Sequence, residues 1–344
     1  MQNYNTVPSR NLIRAERDML KHAEPIKVLS SFGKQIEQPK NATDTVVFRR
    51  ALPIDANTYN APSSVDPSQY MMQEGVTPSA RTIQYQDVTA VLQQYGVLMK
   101  LSSKTESLYE DDVPSDMTQL VGEHMGSLEE LINYGVVKGG TSVVYANGST
   151  RAGVNTPISL NRLRQCARQL EMGHAKLVTN KLAAGANFGT SAISPAYLVF
   201  ISTDLEADVR NLPGFVPTYE YASGQVVHER EVGACERFRF ISSPYFKPFL
   251  SAGASVGTGT FLVNGGTGAG NADVYPILIV AQDAYAQVAL KGMGSAHPIY
   301  LPAKTITHAN PMGQFGYVGA SFWKTAVRLN ESWMVRLEVA ASAL

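Results

Sequence analysis

Residues 45–101 read TVVFRRALPIDANTYNAPSSVDPSQYMMQEGVTPSARTIQYQDVTAVLQQYGVLMKL, and this stretch decides the fold. Both of its ends carry strand chemistry. Residues 45–52 are β-branched and aromatic, and at the other end Ile83, Tyr85, Val91, Tyr95, Val97, Met99 and Leu101 all fall at odd positions. That is the period of two expected of a strand with one buried face. Between the ends, residues 53–80 are rich in Pro, Asn, Ser and Gly and show no period. A connection this long without periodicity is uncommon inside a compact domain. The simplest way to stabilise it is to lay an extended hairpin, roughly residues 43–101, on a neighbouring subunit. The stretch therefore points toward assembly rather than chemistry.

The segments around it read as a mixture of helices and strands. Residues 115–138 are predicted as the longest helix, with Met117, Leu120, Val121, Met125, Leu128, Leu131, Ile132 and Gly135 on one face. Pro114 marks its entry, and Glu110, Asp111, Asp112 and Asp116 crowd its start, where the helix dipole favours acids over a metal cluster. A second helix is expected over 159–182, with Leu163, Cys166, Ala167, Leu170, Leu177 and Val178 on one face. Residues 196–202 (AYLVFIS) form an apolar run of buried-strand length, followed by a short helix over 203–211. Further strands are expected at 236–242, 277–281, 316–324 and 332–340, with a helix over 283–290. The class is α+β.

Toward the N-terminus, residues 9–23 read as a helix capped by Ser9. Leu12, Ala15, Met19 and Ala23 share one face, and Arg10, Arg14, Arg17 and Lys21 lie almost opposite. The basic stripe is either a solvated face or a surface turned toward DNA or a neighbouring subunit.

Composition bounds the function. The chain has 344 residues, 44% hydrophobic and only 17% charged, against about 25% charged in an ordinary globular domain. The deficit fits a surface covered by other chains, or one made of Gly-, Ser- and Thr-rich loops. Lys and Arg total 29 and so do Asp and Glu, so bulk charge favours neither nucleic acid nor membrane. Two cysteines are too few for a disulfide framework. No apolar run reaches membrane-spanning length, and residues 1–20 lack a signal-peptide core, so folding in a cytoplasm is expected.

Catalytic motifs fail. The glycine-rich residues 251–271 lack the Gly-Lys-Ser/Thr ending of a phosphate loop and read as a flexible surface loop. His124 and His174 fall within expected helices, and no histidine has metal-ligand spacing. Cys166 lies on an apolar helix face, and no G-x-S-x-G elbow is present. No catalytic residue, metal ligand or cofactor is expected.

An ordered set of segments carries a resemblance. EGVTPSARTIQYQDVTAVLQQYGVLMKLSSKTE (74–106), LVGEHMG (120–126), ISTDLEADVRN (201–211), EVGACERFRFISSPYF (231–246) and NPMGQFGYVGASFWKTAVRL (310–329) resemble, in order, segments of the major capsid proteins of tailed phages related to phage N-four. RNLIRAERDMLKHA (10–23) and FRRALP (48–53) also fit. The chain departs from the family at Ser202, Thr203 and Asp204, where a His-Pro-Asp-like turn is common. It departs again at Ser321–Lys324, where a Gly-Trp-Lys-like run is common.

The resemblance implies the Hong Kong 97-type fold: N-terminal arm 1–42, extended hairpin loop 43–101, peripheral domain 102–155 with its spine helix, axial domain 156–304, and C-terminal peripheral strands 305–344. It implies a non-enzymatic shell subunit of a virion, assembling with itself as hexamers and pentamers around packaged double-stranded DNA. Portal, scaffolding and decoration proteins are candidate partners, and no membrane is involved. An encapsulin-type compartment of the same fold and a stand-alone α+β enzyme are the alternatives.

Overall fold

The computed structural model describes residues 27–52, 67–77, 80–108, 113–178, 195–221, 226–308 and 310–343. In chain order the strands are β1 (Lys34–Gln38), β2 (Thr45–Ala51), β3 (Tyr85–Val91), β4 (Gln93–Ser102), β5 (Val143–Tyr145), β6 (Tyr197–Ser202), β7 (Phe215–Pro217), β8 (Glu231–Cys235), β9 (Phe238–Ser243), β10 (Ser255–Val256), β11 (Leu262–Val263), β12 (Gly266–Thr267), β13 (Gly270–Asn271), β14 (Val274–Val280), β15 (Tyr285–Leu290), β16 (His297–Leu301), β17 (Phe315–Arg328) and β18 (Met334–Ala340). The α-helices are α1 (Ser103–Leu108), α2 (Val113–Lys138), α3 (Leu160–Met172) and α4 (Glu206–Arg210).

The described residues divide into two compact units. The first takes those within Met1–Val46, Ala90–Gly135 and Ala286–Ala326. Its sheet runs β1-β15-β17-β16, with β4 also pairing β17. The 14-residue β17 is the organising strand: Phe315–Lys324 lies antiparallel to Gln93–Ser102, and Tyr317–Ser321 antiparallel to His297–Leu301. Val113, Met117, Val121 and Met125, one helical turn apart on α2, pack with Leu101, Val318, Ala320 and Phe322. Each such side chain, fully buried, stabilises the unit by roughly 1.5–3 kcal/mol.

The second unit takes Val47–Thr89, Val136–Tyr285 and Val327–Leu344. Its seven-stranded mixed sheet is ordered β5-β18-β14-β6-β9-β8-β7, with β5/β18 and β6/β9 parallel and the other pairs antiparallel. β6, β9 and β14 are buried along their whole length. This explains the apolar runs of β6 and β14, which a strand with one wet face does not show. α3 buries Leu163, Cys166 and Leu170 in the core of this unit.

Four expectations need correction. The segment over 283–290 is strand β15, not a helix. Its alanines suit a helix locally, but Asp283 has φ 55°, a left-handed turn, and Lys34–Gln38 pairs in parallel with Ala286–Leu290. Long-range pairing overrides propensity here.

The helix expected over 159–182 stops at Met172. His174 follows at φ 54°, and Val178 bridges Ala196. A Cβ on Gly173 would lie 2.8 Å from the Ser332 carbonyl oxygen, so glycine is required where the helix ends.

The glycine-rich stretch 251–271 is not a structureless loop. It forms two short antiparallel pairs, β10/β13 and β11/β12. The buried Asp273 carboxylate ties the start of this stretch to the turn between β11 and β12, accepting from the N–H groups of Ser251 (2.6 Å), Asn264 (3.0 Å) and Gly265 (2.6 Å).

Last, the odd-numbered apolar series does not share one buried face. In β4 the odd residues Tyr95, Val97, Met99 and Leu101 turn inward as expected. In β3 the even residues Val88 and Ala90 turn inward, Leu92 continues that series, and Tyr85 and Val91 are exposed. The phase slips by one residue between Leu92 and Tyr95, where the pairing partner changes from β2 to β17.

Candidate assembly surfaces

β2 and β3 form a two-stranded sheet. Leu52 N–H donates to Gln84 O, and Leu92 N–H donates to Asp44 O, both at 2.8 Å, which sets an antiparallel register. That register puts Arg49 opposite Asp87. The two side chains meet with Nε–Oδ1 and Nη2–Oδ2 both at 2.8 Å, and the guanidinium carbon lies 5.8 Å from the Tyr85 ring centre. Asp87 is held below its ordinary value by its hydrogen bonds to Arg49, although the pair is open to water. Val47, Tyr85 and Val91 share this outer face and are exposed.

A two-stranded hairpin is marginal by itself in water. Here it also displays apolar side chains on its solvent face. The effect grows toward the tip, where Met71 is 79% and Met72 75% exposed, beside exposed Tyr70 and Val76. Arg81 lies over the Tyr70 ring at 5.1 Å.

The long helix contributes a second exposed stripe. Leu120 (53% exposed) and Leu131 (43%) lie 11 residues apart, almost in line on a 3.6-residue helix, with exposed His124 between them. The sequence pattern put both leucines with the core face, and Gly135 too. The structure buries a narrower arc and leaves this stripe, Gly135 included, to solvent.

The basic stripe Arg10, Arg14, Arg17 and Lys21 lies outside the described residues. What is described is the root of the arm, and it is firmly held. Val28, Leu29 and Phe32 are buried. The carboxylate of Glu130, itself buried on α2, accepts from Leu29 N–H (2.7 Å), Ser30 N–H (3.2 Å) and the Ser30 hydroxyl (3.3 Å). Gln287 on β15 donates to the carbonyls of Leu29 (3.0 Å), Ser30 (3.3 Å) and Phe32 (2.7 Å), and Asn133 donates to the Ser30 hydroxyl at 3.0 Å.

One residue back along α2, Glu129 is gripped by the ammonium groups of Lys27 (2.6 Å) and Lys324. Burial pushes the Glu130 carboxyl above its ordinary value. Burial also acts on Glu129, but the charges of Lys324 and Lys27 outweigh it and hold that carboxyl low. Sequence reading missed this clasp. Its partners lie about 100 to 258 positions apart, and Glu129–Glu130 looks like any acidic pair on a solvated helix.

Among the described residues, neither cysteine is exposed. Burial pushes the Cys166 thiol up to about 12, so it stays protonated and unreactive at neutral pH. Among the described residues, no group of three or more His, Cys, Asp or Glu side chains is arranged to hold a metal, and no helix is long and apolar enough to cross a membrane. Asp116, from the acidic group at the helix start, is exposed, while Glu110–Asp112 lie outside the described residues.

No protein-family model matches the chain, and no curated protein matches it in sequence. Solved structures do. The capsid of Ralstonia phage GP4 superposes with a TM-score of 0.62 at 12% identity, covering 89% of this chain and 87% of that one. The capsid asymmetric unit of cyanophage Pam1 gives 0.57 at 12% identity, covering 100% of this chain and 97% of that one. The capsid of cyanophage P-SCSP1u gives 0.53 at 12% identity, covering 92% and 91%. With an extended hairpin followed by a long helix and by the strands of two mixed sheets, the chain has the Hong Kong 97-type fold of phage capsid proteins.

Proposed function

We propose that this chain is the major capsid protein of a tailed double-stranded DNA phage, of the phage N-four-like group. It is a structural, non-enzymatic subunit of the virion that self-assembles as hexamers and pentamers into an icosahedral shell. One observation carries the reading: phage capsid structures match the fold over almost the whole chain. The hairpin, with Met71 and Met72 exposed, agrees with it. An apolar projection of this kind is costly on an isolated subunit and is covered when copies pack together.

On this reading residues 1–42 are the arm, 43–101 the hairpin laid on a neighbour, 102–155 and 305–344 the peripheral domain, and 156–304 the axial domain. Packaged DNA is a non-specific partner, and portal, scaffolding and decoration proteins are further candidates.

Negative-stain imaging of the purified protein tests it. Closed shells are expected, with double-stranded DNA inside particles recovered from an infection. A protein that stays monomeric at every concentration overturns the reading, and shells that enclose a protein cargo instead of DNA favour an encapsulin-type compartment.

A further inference from the structure

β5 is the outermost strand of the seven-stranded sheet, paired in parallel with β18 on one side only. Successive residues of a strand point their backbone groups to opposite sides. Arg336 N–H donates to Ser142 O, and Ala146 N–H donates to Glu338 O, so the even-numbered residues face β18. The N–H and C=O groups of Val143 and Tyr145 therefore face outward, and no described residue bonds to them. An open edge of this kind is a template for another strand, which proteins ordinarily cover.

The edge opens onto a groove of about 420 Å³, walled on its far side by one flank of α3. The ends of the groove are fixed. Arg162 donates through Nε to Ala146 O (2.9 Å) and through Nη1 to Gln165 Oε1 (2.8 Å), and Gln169 donates to the Ser142 hydroxyl (3.0 Å). Between them Arg168 is exposed and has no ion-pair partner among the described residues. The exposed Met172 closes the wall with an apolar surface.

The combination is specific. An edge of three residues accepts an extended segment about 10 Å long. The exposed Arg168 guanidinium on the facing wall suits a carboxylate on that segment, which it can hold with two parallel hydrogen bonds. Strand addition with side-chain selection is a general mode of peptide capture.

We infer that the groove between β5 and α3 receives an extended, carboxylate-bearing segment of a second copy of this chain, with Arg168 as its anion partner. The inference rests on the shell reading above, since repeated contact between copies supplies the occupant. The chain itself is balanced, with 29 acidic residues against 29 basic ones, so each copy has carboxylates to offer.

The test compares assembly of wild type, Arg168→Glu and Arg168→Lys, by sedimentation and imaging. A photoreactive benzophenone amino acid replacing Gln165 in otherwise wild-type protein then reports which residues enter the groove. Arg168 is exposed, so charge reversal leaves the subunit's melting temperature unchanged. Arg168→Glu should lower the assembled fraction at least tenfold and Arg168→Lys should restore most of it. In assembled particles the crosslink should join two copies, at an acidic extended segment. Shells formed equally well by wild type and Arg168→Glu, or a crosslink confined to its own chain, overturn this site alone. A wild type that never assembles overturns the shell reading and this site together.

Discussion

Glu129 and Glu130 are adjacent on α2, yet their environments drive their carboxyl groups in opposite directions, Glu130 up through burial and Glu129 down through Lys324 and Lys27 despite burial. Both grip the root of the N-terminal arm. One does so through backbone N–H groups, the other through the ammonium group of Lys27.

Their pH signatures follow. The lowered Glu129 contributes stability that is present above the ordinary carboxyl value of 4.5 and is lost as pH falls through the depressed one. The raised Glu130 opposes folding while charged, and that cost is relieved as pH falls through its raised value. Glu129→Gln should therefore destabilise the subunit by about 3 kcal/mol at neutral pH, because two ammonium groups lose their counter-charge. The gap from wild type should close in strong acid. Urea unfolding across the pH range checks both statements, and Glu130→Gln should abolish the gain in stability that wild type shows as pH falls through the raised Glu130 value.

Two leucines on the same helix should separate folding from assembly. Leu128 packs against the core of the first unit, whereas Leu131 lies on the exposed stripe. Leu128→Asp buries an unpaired charge at a cost of several kcal/mol, and insoluble protein is expected. Leu131→Asp should give a soluble subunit with wild-type circular dichroism and impaired assembly. Soluble, assembled Leu128→Asp would show the core face to be misassigned.

The hairpin tip should behave as an interface without a structural role in its own subunit. Met71→Glu with Met72→Glu removes exposed apolar surface and leaves the core untouched. Thermal stability of the subunit should stay within about 0.5 kcal/mol of wild type, while shell yield falls. Deleting residues 57–69 should act in the same direction and more strongly.

Removing charge alone tests the basic stripe of the arm. Replacing Arg10, Arg14, Arg17 and Lys21 with Gln keeps helix propensity nearly unchanged and removes only charge. If the stripe serves packaged DNA, empty shells still assemble and genome retention falls, with a salt dependence characteristic of phosphate contacts. If it clamps a neighbour, assembly itself fails. A variant that packages and assembles normally leaves the stripe a solvated face.

Local pattern carried a good part of this fold. The alternation of Tyr95, Val97, Met99 and Leu101 and the spacing of Met117, Val121 and Met125 are visible within a few residues, and both hold in the structure. What escaped were features decided by distant partners. Tyr285–Leu290 becomes a strand because Lys34–Gln38 pairs with most of it, more than 250 positions away. The stretch 251–271 is ordered because Asp273 reaches back to it. The Glu130 clasp closes over a separation of about 100 residues. The strand edge at Val143–Tyr145 needs knowledge of which strand lies outermost, and no window of sequence contains that.

The slip of phase between Leu92 and Tyr95 has a consequence for how this chain can change in length. Because side chains alternate with a period of two, one residue added or lost at this joint would turn Tyr85, Val91 and their neighbours on β3 to the opposite side while leaving β4 in place. The connection between β2 and β3 can grow or shrink without that penalty. Insertions and deletions among descendants of this gene should therefore gather around residues 53–80 and avoid Leu92–Gln94, the joint where the series of inward residues changes phase.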